Sequence, residues 1–314
     1  MSSTVSKRHP EMRGSKPRPG GRRRSPAIAR IAAGIDGFPE GQDAATLGRL
    51  LAEATGAELM LVAVHTVPLL PPAPELSAAS LRKESQRILR EVRDSFAPGA
   101  RTVTASDHSV ARSLQRVVRR HHRDLLVLGS SRQGPEGRVR IGKRTRQLLC
   151  HFECALAVAP RGLHADPRPL RRIGVGYDDR PESRAALALA ASVAAGAGAA
   201  LHALAVVDDR PPGLGWSSLP SVLAKTWDDV IGDEMERIRE HAVAAGERTE
   251  KQPDVVVARG RPADALLELS ETVDLLVIGS RRWGPTARLL LGTTGEAVMH
   301  DAACAVLAVP RPGR

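Results

Sequence analysis

The stretch that decides the fold is Asp274 to Pro310, DLLVIGSRRWGPTARLLLGTTGEAVMHDAACAVLAVP. An apolar run, Leu275 to Ile278, stops at Gly279-Ser280, and a loop bearing glycine and arginine follows. The chain then reaches Gly292-Thr293-Thr294, a helical pattern, and a second apolar run from Ala303 to Val309. Strand, phosphate-sized loop, helix N-terminus and strand suit the holding of an anion on backbone N–H groups. The chain writes this unit twice. Asp124 to Pro160 reads DLLVLGSSRQGPEGRVRIGKRTRQLLCHFECALAVAP, and Gly129, Gly142, Cys154 and Pro160 each lie 150 positions before Gly279, Gly292, Cys304 and Pro310. Asp36 and Asp178 pair at an offset of 142, so the second copy carries about eight extra residues, placed in the loop 208–219. A period of this length means two copies of a domain, because solenoid units are far shorter.

The 314 residues suit two domains, each large enough for its own core. Residues 28–161 and 171–314 are the expected domains, 162–170 a polar, Pro-bearing linker, and 1–27 a basic tail. That tail holds eight Lys/Arg against Glu11 alone, a net +7 of the chain's +11. Its few apolar residues predict disorder, and its charge predicts weak contact with nucleic acid. No apolar stretch approaches the roughly 20 residues of a membrane span, the start lacks the apolar core of a secretory signal, and three cysteines build no disulfide framework. These features predict a cytoplasmic protein with no membrane association. Seven aromatic residues are too few for the stacking platforms of a single-strand nucleic-acid binder.

Between the paired stretches, apolar runs alternate with amphipathic ones. Strands are expected at 27–35, 59–67, 103–105, 125–128 and 155–158, and again at 173–177, 201–207, 255–258, 275–278 and 303–309. Helices are expected at 44–55, 77–96, 109–121, 183–194, 221–245 and 262–269. Alternation of this kind predicts an α/β fold with parallel sheets and helices on both faces.

Each half resembles a universal stress protein domain, so the chain is similar to tandem members of that family. The carriers are Asp36-Gly37 and Asp178-Asp179, the DLLVLGS and DLLVIGS strands, the spaced glycine loop, and the CALAVAP and CAVLAVP endings. The resemblance implies two open five-stranded parallel sheets of order 3-2-1-4-5, like those of the adenine nucleotide alpha hydrolases. It also implies pairing through the last strands, as a pseudo-dimer within the chain or a homodimer between chains. In ATP-binding members a loop G-x2-G-x9-G-[ST] cradles the phosphates, while the early aspartate and the end of strand two hold ribose and adenine. Carried over, the second-half site is Asp178, Val206, Gly279, Gly292 and Thr293, with Arg282 in the place of the second glycine. Its first-half counterpart is Asp36, Val64, Gly129 and Gly142, with Arg132 at the second glycine and Lys143 in place of the hydroxyl residue. Glycine at that second position normally serves φ > 0 or a close approach to phosphate, and Gly134 and Gly284 are the candidates to restore the turn. ATP or a related adenine nucleotide is therefore expected in the second domain more than in the first.

Other motifs weigh less. Gly137-x4-Gly142-Lys143 imitates a P-loop, but Arg144 stands where Ser/Thr should meet magnesium. Cys150-His151-x2-Cys154 lacks the further ligands of a zinc site, so no metal is expected. No spacing supplies a nucleophile with its base. The expectation is a non-enzymatic stress-response module with an unknown protein partner. The alternatives are a ligand-free interaction module and a slow nucleotide hydrolase.

Overall fold

The computed structural model describes residues 28–66, 77–142, 146, 154–210, 221–280 and 291–310. The expected basic tail and Arg282, Gly284, Lys143, Cys150 and His151 lie outside these residues. In the first half the apolar runs become β1 (Arg30–Ile35), β2 (Glu58–Thr66), β3 (Arg101–Asp107), β4 (Leu125–Gly129) and β5 (Ala155–Ala159). Between them lie α1 (Pro39–Thr55), α2 (Ala78–Phe96) and α3 (Val110–Arg120). The second half repeats the series as β6 (Arg172–Tyr177), α4 (Pro181–Ala197), β7 (Ala200–Val207), α5 (Ser221–Gly246) and β8 (Asp254–Arg259). It continues with α6 (Pro262–Ser270), β9 (Leu275–Gly279), α7 (Thr293–Asp301) and β10 (Ala305–Val309).

Helices α1 and α4 begin at Pro39 and Pro181, five and two residues before the expected starts. Proline fits the first turn of a helix, where its missing N–H would be unpaired. Polar first turns hide such starts from a search for apolar spacing. Strand β3 is longer than the expected 103–105 because it pairs with β2 along its whole length, from Arg101 to Asp107. β10 is shorter than expected, beginning at Ala305.

Each half keeps the order 3-2-1-4-5, yet the two sheets are not separate. They form one ten-stranded sheet, β3-β2-β1-β4-β5-β10-β9-β6-β7-β8. The seam is antiparallel, with Val306 opposite Val158 and Leu307 opposite Ala157. All other neighbours are parallel. Both seam strands are buried throughout, which explains their unbroken apolar sequences. Joining them also protects two strand edges that would otherwise invite foreign pairing.

The paired aspartates that open the DLLV runs have a structural role. Asp124 Oδ2 accepts the amides of Ala29 and Arg30 at 3.0 and 2.9 Å, and Asp274 Oδ2 accepts those of Arg171 and Arg172 at 2.8 Å. Each clips the start of its domain's first strand to the fourth. The segment between the domains is pinned as well. The buried Asp43 of α1 accepts the amides of Gly162 and His164 at 3.0 and 2.8 Å, and His164 Nδ1 lies 2.6 Å away.

Candidate functional site

At the carboxyl ends of β6 and β9 the sheet order reverses, and a cleft opens between α4, α6 and α7. Such switch points are where open α/β sheets bind ligands. Five residues expected from sequence, Asp178, Val206, Gly279, Gly292 and Thr293, line this one cleft. Its empty space is about 890 Å³ including the open mouth. The floor is apolar, built by Leu204, Leu266 and Ile278.

One wall is the β6–α4 turn. Ser183 Oγ accepts the amides of Asp178 and Arg180 at 3.2 and 3.1 Å and donates to Arg180 O at 3.1 Å. This knot fixes the turn and leaves the Asp178 side chain half exposed at the cleft, with Arg180 Nε 3.5 Å from its Oδ2. The next residue, Asp179, has φ +58°, rare for a side chain other than glycine. Its place in the first half is taken by Gly37, with φ +80°. Tyr177 Oη donates to Asp179 at 2.8 Å, Arg184 Nη2 donates at 2.7 Å, and His241 Nδ1 of α5 lies 2.6 Å away. Burial alone would raise the Asp179 carboxyl, but the hydrogen bonds of Arg184, Tyr177 and His241 hold it down at about 2. The strained residue is thus locked by side chains of β6, α4 and α5.

The other wall is the start of α7. Its N-cap is Gly292, with no side-chain cap, and Thr293, Thr294 and Gly295 face the cleft. The unpaired amides of a first helical turn attract an anion. Gly279 has a packing reason as well: a Cβ there would lie 2.7 Å from the Glu182 carbonyl carbon and 2.9 Å from Ser183 N. Gly129 has the same reason in stronger form, with Glu40 O only 2.0 Å from the Cβ position. The first glycine of each loop therefore lets a helix N-terminus approach the strand end.

In the first half, Asp36, Val64, Gly129 and Gly142 keep equivalent positions, but the loop between Gly129 and Gly142 is used otherwise. Its amides are spent on protein acceptors. Ser131 N donates to Arg140 O at 2.7 Å, Gly134 N to Ser131 O at 2.8 Å, and Gly137 N to Arg161 O at 2.9 Å. Val139 N and Ile141 N cross to the second half and donate to Ala302 O and Met299 O, at 2.8 and 3.1 Å. Arg138 Nη1 adds a bond to Asp301 O at 2.8 Å. Val139 and Ile141 are buried, so this loop clamps the C-terminal end of α7. Gly134 closes a turn from Ser131 without adopting a positive φ. Neither Arg132 nor Gly134 has a positive φ; Gly137 does, at +74°. Arg132 turns its guanidinium over the Phe38 ring, 3.8 Å from the centroid. Desolvation raises the Asp36 carboxyl above its ordinary value, against the Phe38 amide that donates to it at 3.2 Å, although part of the residue stays exposed.

Several residues of the second cleft were not singled out from sequence. Leu204 stands two positions before Val206 and so shares its face, a signal that strand periodicity carries. Leu266 and Pro262 come from α6, where no local pattern points to the cleft. Cys154 and Cys304 are buried core residues, and among the described residues no group of three potential ligands gathers for a metal. No helix among them is long and apolar enough to cross a membrane.

Comparison with known proteins supports the same architecture. The profile of the universal stress protein family matches residues 28–160 and again 169–310. A universal stress protein of Mycobacterium tuberculosis is 30% identical over 200 residues, covering 60% of this chain and 59% of its own length. The chain thus spans about three fifths of the length of the first relatives it matches. Another from that organism is 28% identical over 244 residues, covering 75% of this chain and 80% of its own. Among solved structures, a universal stress protein from Archaeoglobus fulgidus superposes with a TM-score of 0.61 at 17% identity, covering 91% of this chain and 97% of its own. One from Pseudomonas aeruginosa gives 0.58 at 18%, covering 91% and 94%. These two show a shared fold. With both halves matched by one profile, the chain belongs to the universal stress protein family as a tandem, two-domain member.

Proposed function

We propose that the second domain binds an adenine nucleotide and that the chain works as a non-enzymatic stress-response module. The observation that carries this is the gathering of Asp178, Val206, Gly279 and the uncapped start of α7 around one cleft. The base would lie on the apolar floor of Leu204 and Leu266. Asp178 Oδ would accept from the ribose hydroxyls, and the phosphates would take the amides of Thr293 and Thr294. Arg180, at the mouth, supplies positive charge beside Asp178. Arg282 is a further phosphate contact suggested by its place in the loop sequence.

The first domain has a different part in this reading. Its loop amides are spent on protein acceptors, those of Val139 and Ile141 on the end of α7, so in this reading it supports the second site from behind. A ligand at the start of α7 would be felt at its other end, where the first domain is clamped. Nucleotide would then favour one arrangement of the two-domain unit over another, by its differential affinity.

The test is the nucleotide content of freshly purified protein, released by heat and resolved by ion exchange, beside Asp178→Ala and Arg282→Gly variants. About one equivalent per chain in the wild type and little in Asp178→Ala is expected. An empty wild type that also shows no thermal shift with added ATP would replace this reading by the ligand-free interaction module. Steady phosphate release abolished by Asp178→Ala would replace it by the slow hydrolase.

A further inference from the structure

The two copies of the domain have diverged in charge at one corner. Helices α3 and α6 correspond N-cap to N-cap, Ser109 with Arg261, an offset of 152. The same offset superposes the buried Leu114 on Leu266 and Val118 on Ser270. On the solvent side it sets Arg112, Arg116 and Arg119 against Asp264, Glu268 and Glu271. Three cations of one copy are three anions in the other. Residues 101–124 hold six arginines against Asp107 and Asp124, a net +4, while 254–274 hold two arginines against five acids, a net −3.

The basic corner is carried by α3 and the start of β3, and Arg116 within it is already paired with Asp107 at the end of β3. Arg112, Arg116, Arg119 and Arg120 are all exposed and lie at helical spacing, opposite the buried Leu114, Val117 and Val118. The helix ends beside the starts of β1 to β3. There Glu58 takes Arg101 Nη1 at 3.2 Å and Arg123 Nη2 at 3.3 Å, so that acid is already neutralised. Arg123 is buried, and its Nε and Nη1 find no protein acceptor. His121 sits within this field. Its imidazole is held below the ordinary value by burial first, then by Arg123, Arg120 and Arg101. The chain enters the fold at the same sheet end, where Ala29 and Arg30 are held by Asp124. The +7 segment 1–27 therefore joins the domain at this corner.

The geometry points to a docking surface for the phosphate backbone of double-helical nucleic acid, formed by the α3 arginine stripe and the start of β3. From Arg112 to Arg120 the stripe is about 12 Å long at about 1.5 Å per residue, comparable with the roughly 12 Å width of a DNA major groove. Its cations are all arginine, whose planar fork matches phosphate in two places. A membrane surface is the poorer fit. Among the described residues the exposed large apolar ones, Phe38, Val230, Val243 and Val256, lie outside this unit, so it offers no large apolar group to insert. The scarcity of aromatics argues for the duplex backbone over stacked single strands. This surface is independent of the nucleotide cleft.

The experiment is fluorescence anisotropy with a labelled mixed-sequence 20-base-pair DNA at several salt concentrations (about two turns of helix,). The full chain, a triple variant Arg112→Gln/Arg116→Gln/Arg120→Gln and a chain lacking residues 1–27 are compared, with melting curves as the check on folding. The triple variant should bind at least tenfold more weakly at low salt. Its slope of log K against log salt should flatten by about 2.7, three contacts at about 0.9 each. Unchanged binding in the triple variant with loss on tail deletion would overturn the role of α3. So would duplex binding that is absent in the full chain, whether or not vesicles of anionic lipid or a second copy of the chain bind instead.

Discussion

Replacing Asp179 should reveal how much the strained β6–α4 turn depends on its hydrogen bonds. Its carboxyl is held at about 2, against about 3.9 for an unperturbed aspartate. A difference of about 1.9 units corresponds to at most about 2.6 kcal/mol. Arg184 and His241 are 56% and 45% exposed in their side chains, so solvent screening reduces this to about 1–2 kcal/mol. The sign follows from the depressed pKa. The contribution is fully present above the unfolded value near 4 and is lost as the pH falls through about 2. Asp179→Ala removes it and leaves a Cβ at φ +58°. Asp179→Gly also removes it but relieves the backbone, recovering about 1 kcal/mol. Urea unfolding at pH 7 should therefore rank wild type above Gly above Ala. The gap between wild type and either variant should narrow between pH 4 and pH 2. If Asp179→Gly exceeds the wild type at pH 7 by about 1 kcal/mol, the full backbone relief, the network contributes nothing. If the gap is independent of pH down to 2, the carboxylate is not the source.

Three further outcomes follow from the packing. Gly129→Ala should lower the melting temperature by about 2–12 °C, from an overpacking cost of about 1–3 kcal/mol. Gly279→Ala should cost less, since its nearest atoms stand at 2.7 Å where those of Gly129 stand at 2.0 Å; equal melting of both variants and the wild type would refute the close approach. Ile141→Ala should destabilise by about 2–5 kcal/mol in denaturant, because Ile141 is buried where the first domain's loop meets α7. An effect below about 0.5 kcal/mol, the usual limit for surface sites, would mean the clamp is not formed in solution. Burial pushes the Cys304 thiol up to about 12, so in a Cys150→Ser chain thiol reagents at pH 8 should react only on unfolding. Rapid labelling of Cys304 in the folded chain would contradict its burial.

The fold was legible in the sequence because its evidence is local and written twice. Apolar runs such as LLVLG and ALAVA need only their own burial, and the 150-residue offset fixes two equivalent units. The seam between β5 and β10 followed from family resemblance, and the structure adds that it merges both sheets into one. Asp178, Val206, Gly279, Gly292 and Thr293 were carried over from the family's motif, and the structure gathers them at one cleft. What the sequence hid is contact between distant segments. Leu266 reaches the cleft from α6, and Val139 and Ile141 bind carbonyls about 160 residues away. Gly134 looked suited to the turn, but the chain placed its left-handed residue at Gly137. The Asp179 conformation was equally hidden, since its partners Arg184 and His241 stand 5 and 62 positions away.

The most direct test of the account is a calorimetric titration of the full chain with ATP to determine stoichiometry. One site per chain is predicted, abolished by Asp178→Ala and unchanged by Asp36→Ala, because the first loop's amides are already spent on protein acceptors. Two sites per chain, no site, or a single site lost with Asp36 and kept without Asp178 would contradict it.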